Sequence, residues 1–556
     1  MKEWMFPMLP CYEDVLSLTK KLVHTESIVN TEGEQLLAEQ LYDMLKTWTY
    51  FTRHPEQVRC VQTVNDTIRR SNVLACIRGT KAESARTVIL MGHIDTVGID
   101  DFGHLKEKAC HPDELKEALT DESLPPAIRQ QLDSGDWMFG RGVLDMKSGV
   151  ASNLYLLRYY AEHPEELAGN LVLVAECDEE DSSHGILSAL YPLQEWKEQY
   201  GFEYVAAINS DLVSPRYEGD ENRYVYKGTV GKLLPSFFIT GAETHVGACF
   251  EGLDPNFIAS ELTRRINYNP ELSDEAYGES TAPPVSLKQM DLKPSYTVQT
   301  ALAAYVYYNF LVHSWSPKEV LEKLKEQAHL AFDSALQLFE ERYRAHCARS
   351  GEPYQEIPWT SRVYTYAEMN ELLMNDWGDA YTEHMKVYMH ELLADTSLDS
   401  RMYAARVVEE AWKWMKDKRP AIIVFYSSIY SPRVELTDRT KNERDLSLAL
   451  EQAVAYVQPH YEHPIQIRHF FPYISDMSFV ALSDDEESIR SEADNNPAFG
   501  QKYSVDYDAI RNLNVPVINV GPYGYDAHKK YERIEMKFSL EIVPNITNQI
   551  ICSLLA

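Results

Sequence analysis

Apolar residues in the first part of the chain recur with two different spacings. Between residues 12 and 46 they follow helical spacing in two pieces, Val15, Leu16, Leu18, Leu22 and Val23, then Leu36, Leu37, Leu41 and Leu45. The polar stretch Ser27–Glu34 divides two predicted helices, the second starting near Thr31 with Glu34 completing a capping box. Continuous apolar runs follow at Ser71–Ile77, Thr87–Leu90, Asn170–Ala175 and Tyr204–Asn209, and these read as buried strands. A helical pattern at Val150–Tyr160 stands between two of them. Alternation of helix and buried strand predicts an α/β fold with a mostly parallel, doubly wound sheet.

From about Tyr224 the pattern changes. A strand at Leu233–Thr240, a helix near Asn256–Ile266, strands at Val285–Met290 and Thr297–Tyr308 and a long amphipathic helix over Pro317–His346 predict an inserted α+β module at 226–346. Residues 347–418 carry aromatic and charged residues at helical spacing, at Ala367–Trp377, Tyr381–Leu393 and Ser400–Lys416, which predicts a helical elaboration. Strand patterns resume at Ala421–Phe425 and Val515–Val520, with a helix near Asp445–Tyr456. Residues 1–225 and 419–556 are therefore expected to form two parts of one sheet domain.

A chain of 556 residues exceeds one ordinary hydrophobic core, and 44% hydrophobic with 25% charged residues is globular composition. The net charge of -32 argues against nucleic acid as a partner, because binding a polyanion takes clustered Lys and Arg. No apolar stretch reaches the ~18 residues a membrane span needs, and the N-terminus has no secretory pattern. Eight cysteines without paired metal spacing suit reduced thiols, so a cytoplasmic address is expected.

The candidate chemistry gathers at strand ends. His93 and Asp95 follow the run Thr87–Leu90, where open α/β sheets hold their ligands. His93 offers an imidazole to a divalent metal, and Asp95 can hold its other ring nitrogen; a packed structural histidine would look the same. Glycines flank Asp145 in Phe139–Gly149, which fits equally a site or a plain loop with Asp145 as a helix cap. The strand Asn170–Ala175 runs into Glu176-Cys177-Asp178-Glu179-Glu180-Asp181, five carboxylates in six residues. Their convergence at one sheet end is costly without a cation. Asp211 follows the next strand, and His528 follows the last one in a Gly-rich turn.

Taken together, Ser27–Glu34, H-I-D-T-V at 93–97, G-R-G-V-L-D-M-K-S-G at 140–149, D-E-E at 178–180, Asp211 and G-P-Y-G-Y-D-A-H at 521–528 resemble the two-zinc amidohydrolase family. That family includes aminoacylases, acetylornithine deacetylase and succinyl-diaminopimelate desuccinylase. The length and the aromatic elaboration look most like its arginine-utilisation branch, so the expected setting is arginine or ornithine breakdown. The resemblance implies two divalent ions, zinc foremost with cobalt and manganese as alternatives. Asp145 would bridge them, His93 and Asp211 would complete one set of ligands, and Glu180 with His528 the other. Glu179 would be the general base, Asp95 would orient His93, and a cis peptide would follow Asp145. In the inserted module, Gly241–His245 matches the lid motif whose histidine reaches a partner's site, making a homodimer through the lid the expected assembly. The chain departs from the family at Pro294–Val312, which offers Asn309 and no Arg to bind a substrate carboxylate. Arg433 is a candidate replacement, with an ion-paired residue as the plainer reading. The expected activity is hydrolysis of a C–N amide bond in an N-acyl amino acid or small peptide. Two other readings are a catalytically silent metal-binding or regulatory protein and a two-zinc aminopeptidase acting on longer peptides.

Overall fold

In the computed structural model, which describes residues 7–556, the chain divides into two units. The first takes the chain up to Thr229 together with Val434–Leu482 and Asp506–Ala556, and the second takes Val230–Arg433 and Ser483–Val505.

The first unit is built on an eight-stranded sheet. In chain order its strands are β1 (Val58–Gln62), β2 (Ser71–Arg78), β3 (Arg86–His93), β4 (Asn170–Glu176), β5 (Glu203–Asn209), β6 (Arg223–Tyr226), β7 (Ile465–Arg468) and β8 (Val517–Asn519). Their spatial order is β1-β2-β4-β3-β5-β8-β6-β7. The central four, β4, β3, β5 and β8, are parallel. Their carboxyl ends therefore share one edge of the sheet. Antiparallel pairings at the flanks make the sheet mixed: β1 and β2 are antiparallel to each other, β2 is antiparallel to β4, and β6 is antiparallel to β8. The short connection 63–70 between β1 and β2 allows only a hairpin, because a parallel crossover takes about a dozen residues or more. Every residue of β4 is buried, as expected for a strand covered on both faces. Helices Glu32–Lys46, Ser148–Glu162, His184–Tyr200 and Val543–Leu555 pack on the sheet.

The stretch before Trp137, polar in sequence, is helical at Pro112–Thr120 and Pro126–Ser134. Its sparse apolar residues are gathered into a small core of their own, with Phe102, Leu105, Leu115, Leu119, Ile128 and Phe139. At Thr31 the expected cap is half realised. Thr31 accepts from the Gly33 N–H, whereas the Glu34 carboxylate accepts from the Asn30 N–H and turns to Arg70.

The second unit holds a separate sheet with the order 285–291, 303–312, 235–240, 421–426 and 363–365, joined by 231–233 along 303–312. Helices Pro255–Ile266 and Pro317–Ser350 pack against it. The helices over 366–377, 379–393 and 400–414 form a further layer, whose Met369, Leu373, Tyr403 and Val408 bury Phe238, Tyr305, Ile423 and Phe425. One expectation is corrected here: Ala421–Tyr426 pairs antiparallel with Pro235–Thr240, so the strand belongs to the second unit and the chain returns to the first only at Val434. All six residues of 421–426 are buried, and an apolar run of that kind suits either sheet. Among the described residues, no helix is long and apolar enough to cross a membrane.

Candidate metal centre

The parallel strands deliver their chemistry to one edge. His93 ends β3 and lies in register with Glu176, which ends β4, so the Asp178–Glu180 turn emerges beside it. Asp211 follows β5 and is fixed to the neighbouring strand end: its N–H donates to Asn519 Oδ1 at 2.9 Å, and Asn519 Nδ2 donates back to its carbonyl at 2.9 Å. A Cβ on Gly521 would stand 1.8 Å from the Asp211 carbonyl oxygen, so only glycine lets the chain after β8 pass. That passage brings His528 to the edge.

Asp145 sits between the two histidines. His93 Nε2 lies 3.0 Å from Asp145 Oδ1, and His528 Nε2 lies 2.9 Å from Oδ2 and 3.0 Å from Glu180 Oε1. Each oxygen of one carboxylate thus faces a different imidazole. Two sets of ligand atoms lie close enough to hold an ion, His93 with Asp145 and Asp211, and Asp145 with Glu180 and His528; His93 with Glu179 and Glu180 makes a third, overlapping set. Imidazole nitrogen and carboxylate oxygen are zinc donors, and the sets leave room for a water or substrate. The residues present fit two divalent ions sharing Asp145. The peptide between Asp145 and Met146 is cis, as the resemblance implies.

The surrounding groups hold these donors in place. Asp95 accepts the Glu179 N–H on Oδ1 at 3.3 Å and the Glu180 N–H on Oδ2 at 3.1 Å. His93 Nδ1 lies 3.1 Å from the Asp95 carbonyl oxygen and 3.5 Å from Oδ1, which fixes the tautomer with Nε2 turned to Asp145. Behind Asp145, Glu532 accepts from the N–H groups of Leu144 and Asp145 and from Arg141 Nη1 at 2.7 Å. The Glu179 carboxylate is 3.8 Å from His93 Nε2.

The titrating groups respond to crowding of like charge in a buried place. Burial, then Asp145, pushes Asp211 up to about 7, against the charge of His93. Burial raises Glu179 well above the usual carboxylate range, with Asp211, Asp476 and Glu180 adding to it. Asp145 moves the other way in spite of its burial, because His528 and His93 both hydrogen-bond it. His528 is pushed up to about 10 by Asp145 and Glu180.

Reading the sequence passed over Arg70, Asp476 and Glu532. Asp476 is buried near the centre, and burial lifts it to about 8 against Ser183 and His93. Its signal was available, an acidic residue shortly after β7. His245 lies in the second unit on an exposed turn, where its Nδ1 accepts from the Gly247 N–H at 3.0 Å, and it belongs to none of the candidate ion groups. Arg433 pairs with Asp484 within the second unit, which favours the ion-paired reading over an anion contact.

Residues 89–536 match peptidase family M20/M25/M40. The chain belongs to this family of metal-dependent hydrolases and is an enzyme of that class. It is 34% identical over 537 residues to protein RocB of Bacillus subtilis (strain 168), an alignment covering 97% of this chain and 94% of RocB. It is also 34% identical over 546 residues to protein YqjN of the same organism, covering 98% of this chain and 96% of YqjN. Among solved structures, aminopeptidase PepT from Bacillus cereus superposes with a TM-score of 0.52 at 11% identity, covering 98% of this chain and 99% of that one, a likeness of fold.

Proposed function

We propose that this chain is a two-metal hydrolase of a C–N amide bond in an N-acyl amino acid or small peptide, acting in the cytoplasm in arginine or ornithine catabolism. The observation that carries the reading is Asp145 held between His93 and His528, one carboxylate oxygen to each ring, with Glu179 beside them. When bound, zinc ions, or cobalt or manganese in their place, supply Lewis acidity for the scissile carbonyl and lower the pKa of water toward about 7. The resemblance to RocB supports the catabolic setting. The eight free cysteines support a reducing compartment.

The chain's own residues account for the proton transfers. Glu179 takes a proton from the attacking water as the new C–O bond forms and passes it to the leaving nitrogen as the C–N bond breaks, giving a carboxylate and an amine. A carboxyl raised by burial suits a group that must accept and donate near neutral pH. Asp95 keeps the Glu179 and Glu180 backbones and the His93 ring in one arrangement. We assign to His245 the stabilisation of the developing oxyanion in a lid-mediated homodimer; its Nδ1 is engaged by Gly247, which leaves Nε2 to donate.

Mass-spectrometric depletion from a library of N-acyl amino acids and dipeptides tests this, with zinc-loaded protein and its Glu179→Gln variant run in parallel. Loss of one amide class with the wild type alone is expected. No loss from a broad library, with both ions verified as bound, would overturn the hydrolase reading in favour of a binding or regulatory role.

A further inference from the structure

A second group of ionisable side chains lies in the first unit, reached through the same acidic turn. Arg70 is 2% exposed. Its Nε lies 2.6 Å from Asp66, and its Nη1 lies 2.7 Å from Asp178 and 3.1 Å from Glu34. His184 holds the other oxygen of Asp178 through Nδ1 at 2.6 Å and its backbone N–H at 3.0 Å. Asp66, Asp178 and His184 stand close enough together to hold a metal ion. Arg70 touches all three, its Nη2 lying 3.5 Å from His184 Nδ1, so the guanidinium is the cation of this cluster.

The position of Asp178 gives the cluster its consequence. Asp178 directly precedes Glu179 and Glu180, and its backbone is left-handed, with φ of 65°. The turn closes where the Ser183 N–H donates to the Asp178 carbonyl at 2.7 Å, and Ser183 is left-handed as well, with φ of 56°. Such backbone persists only where its surroundings hold it. Asp95 holds the turn by the N–H groups of Glu179 and Glu180, and Arg70 holds it by the Asp178 side chain.

We propose that Arg70 is a positioning residue for the metal centre, clamping Asp178 and thereby setting where Glu179 and Glu180 stand. This rests on the reading of Glu179 as base and Glu180 as metal ligand. Lysine can take over the role only in part, because Nε and Nη2 donate to the two oxygens of Asp66 while Nη1 faces Asp178 and Glu34, and an ammonium is a single point of charge.

The test uses metal-free full-length protein as wild type, Arg70→Met, Arg70→Lys and Glu179→Gln, each titrated with Co2+ and Zn2+ against a chelator. The Co2+ absorption bands and hydrogen exchange over residues 176–184 are followed as well. Wild type and Glu179→Gln are expected to bind two ions per chain. Folded Arg70→Met is expected to lose about 10–100-fold in affinity for one ion, with altered Co2+ bands and faster exchange in the turn; Arg70→Lys falls between. A purely structural role would lower melting temperature while leaving the affinity and bands of the folded fraction unchanged, and that result overturns the proposal. Should Arg70→Met not fold, Arg70→Lys decides by the same readouts, wild-type affinity and bands counting against the proposal. A third ion in the wild type would overturn Arg70 as the cation of its cluster. A wild type that binds neither Co2+ nor Zn2+ would overturn the two-metal reading itself, and the proposal with it.

Discussion

The first unit contains two buried clusters of carboxylates, and they differ in the source of their positive charge. Glu34, Asp66 and Asp178 surround Arg70, a permanent cation, with His184 alongside. Asp145, Glu179, Glu180 and Asp211 have only His93 and His528, which must be neutral to serve as metal ligands. The first cluster sets a permanent cation, Arg70, and His184 against three carboxylates, of which burial pushes Glu34 up to about 7. Fully ionised, the second would carry four negative charges, which two divalent ions would match. A fixed cation among the buried carboxylates therefore distinguishes the cluster around Arg70 from the candidate metal centre, where a count of acidic residues alone would not.

Four measurements would break or sharpen that contrast. The largest effect is expected from Glu179→Gln, which removes a proton carrier without removing a ligand: turnover should fall by roughly 10²–10⁴-fold with metal content unchanged by mass spectrometry. Next, Asp95→Asn keeps one acceptor oxygen and sets an NH2 against the other of the two N–H groups that Asp95 now accepts, and metal affinity by chelator competition should fall by about 10–100-fold.

The third concerns pH. Asp211, Asp476 and Glu532 sit at about 7, about 8 and about 7, and His528 at about 10, all above their ordinary values. A raised folded-state pKa gives stability that is complete below the ordinary value and lost as pH rises through the folded one. The depressed Asp145 has contributed fully by pH 5 and stays constant above it. Metal-free protein should therefore melt at lower temperature as pH rises from 5 to 8, and the gap to metal-loaded protein should widen; a constant gap in calorimetry would contradict the charge argument. The smallest effect belongs to the cluster around Arg70. Asn30→Gly, which suits the left-handed backbone at this position, removes the oxygen that accepts from Arg70 Nη1 and the amide that donates to Asp181, and should cost about 1–2 kcal/mol in denaturant unfolding, leaving metal affinity unchanged.

The contrast also marks what the sequence discloses. That His93, Glu180, Asp211 and His528 meet at one edge could be read because each stands at or after an apolar strand pattern, and parallel strands bring their carboxyl ends together whatever the helices between them do. Arg70, Glu532 and Asp476 were hidden because their meaning depends on partners elsewhere in the chain: Glu532 and Arg141 are 391 residues apart. The strand Ala421–Tyr426 was assigned to the wrong sheet for the same reason. Its apolar pattern fits either one, and the choice is made by Pro235–Thr240, with Thr240 and Ala421 181 residues apart. Local pattern gives an element its type and leaves its partner open.

The place of β8 in the sheet has a consequence for synthesis. This strand, Val517–Asn519, lies between β5 and β6, whose residues end at Tyr226. At elongation rates of about 5–20 residues per second, roughly 15–60 s separate the emergence of β5 from that of β8 on the ribosome. Through that interval the nascent chain carries open strand edges beside a half-built anionic cluster. His528 arrives later still, so a ribosome that stops short of it releases a chain in which Asp145 and Glu180 lack their shared imidazole partner.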